Sequence, residues 1–346
     1  MQYKILILSD SKPGHQNQCI GIAEAAPSAS YKVVQVNYRF GLGYLIALIL
    51  CNLRVFSQTF LNLLLDSDTL KEIENERFDI ILSAGSSVAP LNLLIGKTFK
   101  IPSVYCMIHR LLPASLFDLI FTPLHDNPPD LNNIIKTLGA PNRINESFLS
   151  GQKDLSDFSR NEKPVISLLL GGETKNFSMG ENWVKMAVKS IKETVESIKG
   201  TVLITTSRRT PDAVEKVIEL EFKDYPFTGY LLLASKSNEN PTPSFFLLSD
   251  VVVVTEDSIS MVSEAASSGK KVIVLKMERK SGRSPKHTKT IVEMEKGGYI
   301  KISSPEIIAE DIVSVLNDNF FPVKVLGEAK RCAAQIEKLL KYNKMV

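Results

Sequence analysis

The residues Asp10 to Gln18 read DSKPGHQNQ and hold a carboxylate, a hydroxyl, an ammonium, an imidazole and three amides. They leave directly from the apolar run Tyr3–Leu8. A plain connection needs a single turn residue, so polar atoms at this density point to a site. An imidazole has an ordinary pKa of about 6.5 and can take a proton from a hydroxyl near neutral pH. His15 is therefore the candidate general base. Gly14 frees the turn before it, and Asp10 would orient the ring or act itself. The plain alternative is a histidine that only hydrogen-bonds within the fold. No Ser-His-Asp or metal-ligand spacing elsewhere competes with it, and no metal or other cofactor is expected.

Later stretches carry groups suited to a phosphate. Gly171-Gly172-Glu173-Thr174-Lys175 offers two glycines, which let a backbone approach a ligand and present its N–H groups. It lacks the Walker and GxGxxG spacings, and a tight turn is an equally good reading. Thr205–Pro211, TTSRRTP, sets Ser207 beside Arg208 and Arg209, whose planar forks match phosphate or carboxylate. Its alternative is a solvated loop with an arginine paired to a surface acid. Thr255–Gly269 ends a strand at an acidic pair, Glu256 and Asp257. Ser258 then opens a helix of small residues, whose first N–H groups can receive an anion. Asp257, Ser260 or Met261, and Glu264 share a face at helical spacing. Glu264 could accept hydrogen bonds from the vicinal hydroxyls of a ribose; otherwise it is a solvent-facing glutamate. Lys276–Lys289, KMERKSGRSPKHTK, reads as a flexible cationic flap over a diphosphate, as an anionic-lipid contact, or as a solvated loop.

The elements that must position these groups alternate along the chain. Runs rich in Ile, Val and Leu predict strands at Tyr3–Leu8, Tyr31–Tyr38, Phe78–Ser83, Pro102–Ile108, Phe117–Thr122 and Ile134–Leu138. Helices are expected between them, over Gly14–Ala26 and Val88–Thr98 among others. Polar Asn145–Lys163 reads as a linker. A second series predicts strands at Val165–Leu170, Thr201–Thr205, Tyr230–Leu233, Val251–Val254 and Val272–Leu275. Its helices are expected over Trp183–Ile198, Asp212–Leu220, Ser258–Ser268, Glu306–Leu316 and Gly327–Tyr342. Such alternation predicts parallel sheets covered on both faces. The expected fold is α/β, with two doubly wound domains facing a cleft, at 1–150 and 163–320. The segment 321–346 is a C-terminal helix expected to pack back on the first. Ligands of such sheets bind outside the carboxyl ends of the strands, where the polar stretches above fall.

Composition narrows the function classes. The chain has 346 residues, 44% apolar and 23% charged, which suits an ordinary globular protein of two domains. A net charge of +3 is too small to argue for nucleic acid. Four cysteines without a CxxC pair argue against a zinc site and a disulfide scaffold, and fit a reducing, cytoplasmic compartment. No signal peptide is expected, because the N-terminus runs straight into a strand. Phe40–Leu53, FGLGYLIALILCNL, is almost wholly apolar but too interrupted beyond Leu53 for a span of about 20 residues. It is either a buried core helix or a helix lying on the inner face of a membrane.

SDSKPGHQNQ, GGETKNF, TTSRRTP and TEDSISMVSEA, in this order, resemble the plant-type mitochondrial-fission protein family and its bacterial relatives, described as candidate glycosyltransferases. The resemblance covers most of the chain. It implies a GT-B-like fold of two Rossmann-like domains, without an obligate metal. The nucleotide-sugar donor would sit on the C-terminal domain and the acceptor on the N-terminal one. More distantly, the chain is similar to the lipid-linked N-acetylglucosaminyl transferase of peptidoglycan synthesis. Gly14-His15 matches that family's first-loop motif near the acceptor. Ser263-Glu264 matches its ribose-binding pair, and Phe40–Leu53 could supply its apolar membrane patch. The first loop here lacks that family's glycine-rich run, and Glu256-Asp257 replaces a more neutral turn.

The implied activity is transfer of a sugar from a nucleotide-sugar to a lipid-linked or saccharide acceptor at or near a membrane. Catalysis would fall to His15 and Asp10. Donor binding would fall to Gly171, Gly172, Lys175, Ser207, Arg208, Arg209, Asn240, Glu256, Asp257, Ser258 and Glu264, with the base ring near Ser235–Asn240. Lys12, Gln16, Gln18 and Ser86 would line the acceptor side. A non-catalytic scaffold for membrane remodelling and an NDP-sugar epimerase are the alternatives.

Overall fold

A computed structural model describes residues 2–152, 155, 164–280, 286–318 and 323–345. The chain forms two compact units, Met1–Arg143 with Gly327–Val346, and Ile144–Leu326. In the first, the order is β1 (Tyr3–Ser9), α1 (Pro13–Glu24), β2 (Ala29–Gln35), α2 (Gly43–Asn52), α3 (Gln58–Leu64), α4 (Ser67–Glu74), β3 (Ile80–Ala84), α5 (Ala89–Phe99), β4 (Ser103–Cys106), β5 (Leu119–Pro123) and β6 (Ile134–Thr137). The strands form one six-stranded sheet in the order β2-β1-β3-β4-β5-β6. Every pairing is parallel. Parallel neighbours need crossovers that cover both faces, which is why β1, β3 and β4 are apolar and buried almost throughout.

The second unit runs α6 (Glu146–Ser150), β7 (Val165–Leu169), β8 (Phe177–Ser178), α7 (Glu181–Ser197), β9 (Thr201–Thr205), α8 (Asp212–Phe222), β10 (Thr228–Leu232), α9 (Thr242–Leu248), β11 (Val251–Thr255), α10 (Ile259–Ser267), β12 (Lys271–Leu275), β13 (Glu278–Arg279), α11 (Lys286–Lys296), β14 (Lys301–Ser303) and α12 (Ile308–Asn317). Its main sheet has six parallel strands in the order β10-β9-β7-β11-β12-β14. The short strands β8 and β13 pair antiparallel beside it. The last helix, α13 (Glu328–Met345), belongs to the first unit, where Cys332, Ala333, Ile336 and Leu340 join the core beneath α1.

Local chemistry sets the ends of these elements. Pro13 opens α1 at a position whose missing N–H costs nothing. The Asp66 carboxylate accepts from the Asp68 and Thr69 amides and caps α4. The polar stretch read as a linker begins inside the second unit: Asn145 caps α6, and α6 packs on α9. The rest of that stretch lies largely outside the described residues. Periodicity also left α3, α4 and α9 unread, because helices of seven or eight residues show too few turns for a pattern.

Helix α2 buries one face of the apolar stretch and exposes the other. Ala47, Leu48, Leu50 and Cys51 are buried against the α5 side of the core. The opposite face bears Leu42, Leu45, Ile49 and Leu53 at 65%, 51%, 49% and 67% exposure. Among the described residues no helix is long and apolar enough to cross a membrane.

Candidate functional site

In the first sheet the strand order reverses between β1 and β3, so the loops leaving these neighbours turn to opposite faces and open a crevice at their carboxyl ends. The site residues of the first unit gather there. Asp10 follows β1, and its carboxylate meets His15 Nδ1 at 2.9 and 3.1 Å. Ser87, in the loop after β3, donates to Asp10 Oδ2 at 3.0 Å, and the Lys12 amide donates to Oδ1 at 3.3 Å. The Lys12 ammonium lies 3.6 Å from the same carboxylate. Burial pushes the Asp10 carboxyl up, but His15, Ser87 and Lys12 together outweigh it and hold it below its ordinary value. An ionised carboxylate only accepts, so His15 Nδ1 carries the hydrogen, and Nε2 is the nitrogen that holds the lone pair in the neutral ring.

Gly85 makes this packing possible. Its φ of +100° suits glycine, and a Cβ there would stand 2.4 Å from His15 Nδ1 and 2.9 Å from Asp10 Oδ2. Gln16, in the first turn of α1, accepts from Ser9 Oγ at 2.9 Å. Ser86 is exposed beside this pair, and Gln18 is half-buried on α1.

In the second unit the reversal falls between β7 and β11, and the predicted donor residues after both strands are tied together. The Gly171 amide donates to Thr255 Oγ1 at 2.8 Å and the Gly172 amide to Asp257 Oδ2 at 3.0 Å. Thr255 Oγ1 donates to Asp257 Oδ1 at 2.7 Å, and Arg209 Nη2 to Oδ2 at 2.9 Å. Side chains at either glycine would meet this cluster: a Cβ would lie 2.0 Å from Asp257 Oδ1 at Gly171, and 2.0 Å from the Arg209 carbonyl at Gly172.

The expectation that Asp257 meets a ligand on the helix face is therefore corrected. Its side chain is fully buried, and an amide, a hydroxyl and a guanidinium donate to its oxygens. Glu256 is likewise structural. It is buried, its Oε1 accepts from the Met277 amide at 2.8 Å, and burial pushes its carboxyl up. Asn240 sits apart, after the edge strand β10, where its carbonyl accepts from the Thr242 amide at the start of α9. The Ser207 hydroxyl accepts from the Arg209 amide at 3.2 Å and holds the turn. Ser258 caps α10.

The free charges are fewer than the sequence offered. Arg208 and Lys175 are exposed and make no hydrogen bond or ion pair among the described residues, whereas Arg209 is committed to Asp257. The flap reading of Lys276–Lys289 fails at its start. β13 pairs with β8, the Lys280 amide donates to the Asn176 carbonyl, and its ammonium pairs with Glu173 at 2.8 Å. Residues 281–285 lie outside the described residues, and 286–289 begin α11. Glu264, half-buried on α10, makes no hydrogen bond or ion pair among the described residues, and burial pushes its carboxyl up to about 7. A half-buried, unpartnered carboxylate can gain from hydroxyl donors.

Sequence reasoning missed Gly85 and Ser87 as individual site residues, although both stand in a segment that follows a predicted strand. Thr255 and the Arg209–Asp257 pair were missed because partners 48 residues apart leave no local pattern.

The family profile described as mitochondrial fission ELM1 matches residues 13–340. Uncharacterized protein RP120 of Rickettsia prowazekii (strain Madrid E) is 24% identical over 379 aligned positions, covering 98% of this chain and 99% of that protein. Mitochondrial fission protein ELM1 of Arabidopsis thaliana is 27% identical over 183 positions, covering 46% of this chain and 42% of that protein. Among solved structures, a UDP-GlcNAc 2-epimerase from Neisseria meningitidis bound to UDP-GlcNAc superposes with a TM-score of 0.58 at 15% identity. The match covers 99% of this chain and 100% of that one. At that identity the likeness speaks for the fold alone, an α/β architecture of GT-B type with two six-stranded parallel sheets. With a profile match that takes in the Asp10-oriented His15 and all the second-unit motifs, the chain belongs to the mitochondrial fission ELM1 family.

Proposed function

We propose that this chain is a metal-independent glycosyltransferase that moves a sugar from a nucleotide-sugar donor to a lipid-linked or membrane-proximal acceptor. The single observation that carries the reading is the His15–Asp10 pair at the strand-order reversal of the first sheet. Its Nε2 lone pair is suited to take the proton of an acceptor hydroxyl as that oxygen attacks the donor's anomeric carbon. The bond from that carbon to the diphosphate breaks, and the diphosphate leaves with the charge. Arg208 and Lys175, exposed and unpaired among the described residues, would meet it together with the first amides of α10. Arg209 neutralises Asp257, which would otherwise repel the anion at that helix start. Glu264 would hold the ribose. A structural neighbour holds UDP-GlcNAc, which supports a nucleotide-sugar as the first ligand class to try.

The exposed face of α2 supports the membrane-proximal half of the proposal. No acidic residue occurs between Glu24 and Asp66, while Arg54 stands exposed at the end of this helix. An apolar face with a cationic rim suits the surface of an anionic bilayer.

The test is a thermal-shift screen of nucleotide-sugars, followed by transfer assays with the hit. Binding with turnover in the absence of any acceptor would assign an epimerase instead. No shift with any nucleoside diphosphate or its sugar would leave a scaffold of this fold, acting in membrane remodelling. Transfer that survives His15→Ala would remove the base assignment.

A further inference from the structure

Glu215 is a buried carboxylate that the mechanism above does not use. It stands in the first turn of α8, where an acid ordinarily stays in solvent and already gains from the helix dipole. Here it turns inward, to the loops that leave β9 and β10. The hydroxyl of Thr206, the first residue after β9, donates to Glu215 Oε1. The Ser235 amide, in the loop after β10, donates to the same oxygen at 3.4 Å. The Ala234 amide donates to Thr206 Oγ1 at 2.8 Å. Both amides can only donate, so Thr206 Oγ1 accepts on one side and gives its single proton to the carboxylate on the other. One turn further along α8, Glu219 pairs with the Lys236 ammonium at 2.5 Å. Two carboxylates at i and i+4 thus fix the root of the loop after β10.

The loop after β9 is tied at its far end too. Thr210 Oγ1 donates to the Gly171 carbonyl and accepts from the Ser207 amide at 2.9 Å. Arg208 is the exposed residue between these ties. The polar links therefore run across the carboxyl ends of three neighbouring strands, β10, β9 and β7. Burying a carboxylate carries a desolvation cost that a merely solvated loop would not require. The two loops it joins are the arginine-bearing one and the stretch read as the seat of the base ring. We infer that Glu215 is a positioning residue for the donor nucleotide. Through Thr206 it sets the Arg208 loop in register with Ser235–Asn240, so that a single nucleoside diphosphate meets a guanidinium with its phosphates and the second loop with its base. This deepens the transferase reading and rests on its donor placement.

The experiment measures the binding of UDP, dTDP, CDP, GDP and ADP to the full chain by calorimetry, and carries the tightest through the variants. Glu215→Ala should weaken that nucleotide about tenfold. Thr206→Val, which keeps the shape and removes the hydroxyl, should do the same. Glu215→Gln still offers one oxygen to both donors, and Thr206→Ser keeps the relaying hydroxyl, so each should bind within about twofold of wild type. Arg208→Ala supplies a readout that a merely structural role would not move. Its loss of about tenfold in the wild type should shrink below about twofold in the Glu215→Ala chain, because an arginine out of register has little left to lose. An equal loss on both backgrounds would overturn the inference, since Glu215 would then only stabilise the domain. Glu215→Ala and Thr206→Val chains that bind like the wild type would overturn it as well, with the transferase reading left standing. A wild type that binds none of the five nucleotides would remove both together.

Discussion

Replacing Gly85 by alanine tests whether the catalytic pair depends on how the loop after β3 packs under it. The new Cβ would lie 2.4 Å from His15 Nδ1, 2.7 Å from Cε1 and 2.9 Å from Asp10 Oδ2. An ordinary contact of this kind is about 3.4 Å or more, so the imidazole must move by about 1 Å. Asp10 resists such movement, because Ser87 and the Lys12 amide hold its carboxylate from other directions. The φ of +100° adds backbone strain for any residue with a Cβ. Strain of this kind costs about 1–3 kcal/mol, which a domain stable by about 5–15 kcal/mol survives. Transfer should fall much further than stability, by about a hundredfold, since a 1 Å misplacement of a catalytic group is worth about that much. Urea unfolding followed by circular dichroism measures the first effect. Rates with the identified nucleotide-sugar measure the second, and its thermal shift should persist. His15 imidazole resonances in long-range nitrogen–proton spectra should move. Unchanged resonances, with transfer within twofold of wild type, would refute the packing argument.

Other perturbations separate the roles within the second unit and on α2. Arg208→Ala should weaken nucleotide-sugar binding about tenfold by calorimetry without lowering the unfolding midpoint, because the side chain is exposed and unpaired. Arg209→Ala should lower the unfolding free energy instead, by about 1–3 kcal/mol, because it leaves the buried Asp257 carboxylate without its cation. The raised pKa of Glu264 gives a signed pH dependence. Its carboxyl rises from an ordinary 4.5 to about 7 on folding, so its stabilising contribution is complete below pH 4.5 and is lost as pH rises through about 7. Glu264→Gln should flatten that fall in chemical denaturation between those limits. Ribose hydroxyls favour the ionised form, so ligand binding near pH 6.5 should release protons. Calorimetry in two buffers of different ionisation heat would detect this release, which Glu264→Gln should abolish. Leu45→Asp with Ile49→Asp should abolish sedimentation with anionic vesicles and leave circular dichroism unchanged, since both side chains point to solvent. Persistent sedimentation would remove α2 from the membrane reading.

Much of the fold was legible from local pattern. Val251–Thr255 is a strand because four consecutive valines fit a sheet buried on both faces. The polar residues after β1, β7 and β11 fell where such sheets bind ligands, and His15 with Asp10 could be picked out there. Local pattern misjudged the charges, however. Asp257, Arg209, Glu256 and Lys280 all looked available to a ligand, and all are committed to partners inside the second unit. A charged side chain that finds a buried counter-charge or amide ceases to be a ligand group, and no spacing along the chain reports that encounter.

The sequence alone determined the alternation of strands and helices, the parallel sheets and the position of polar groups at strand ends, because hydrophobic periodicity is a local record of burial. Only the tertiary structure decided which strands are neighbours. That order places the two reversals, and with them the meeting of Asp10 with Ser87 across 77 residues and of Arg209 with Asp257 across 48. Crossover direction is chosen by non-local packing of helices on the sheet, so it leaves no mark that a short window of sequence can carry.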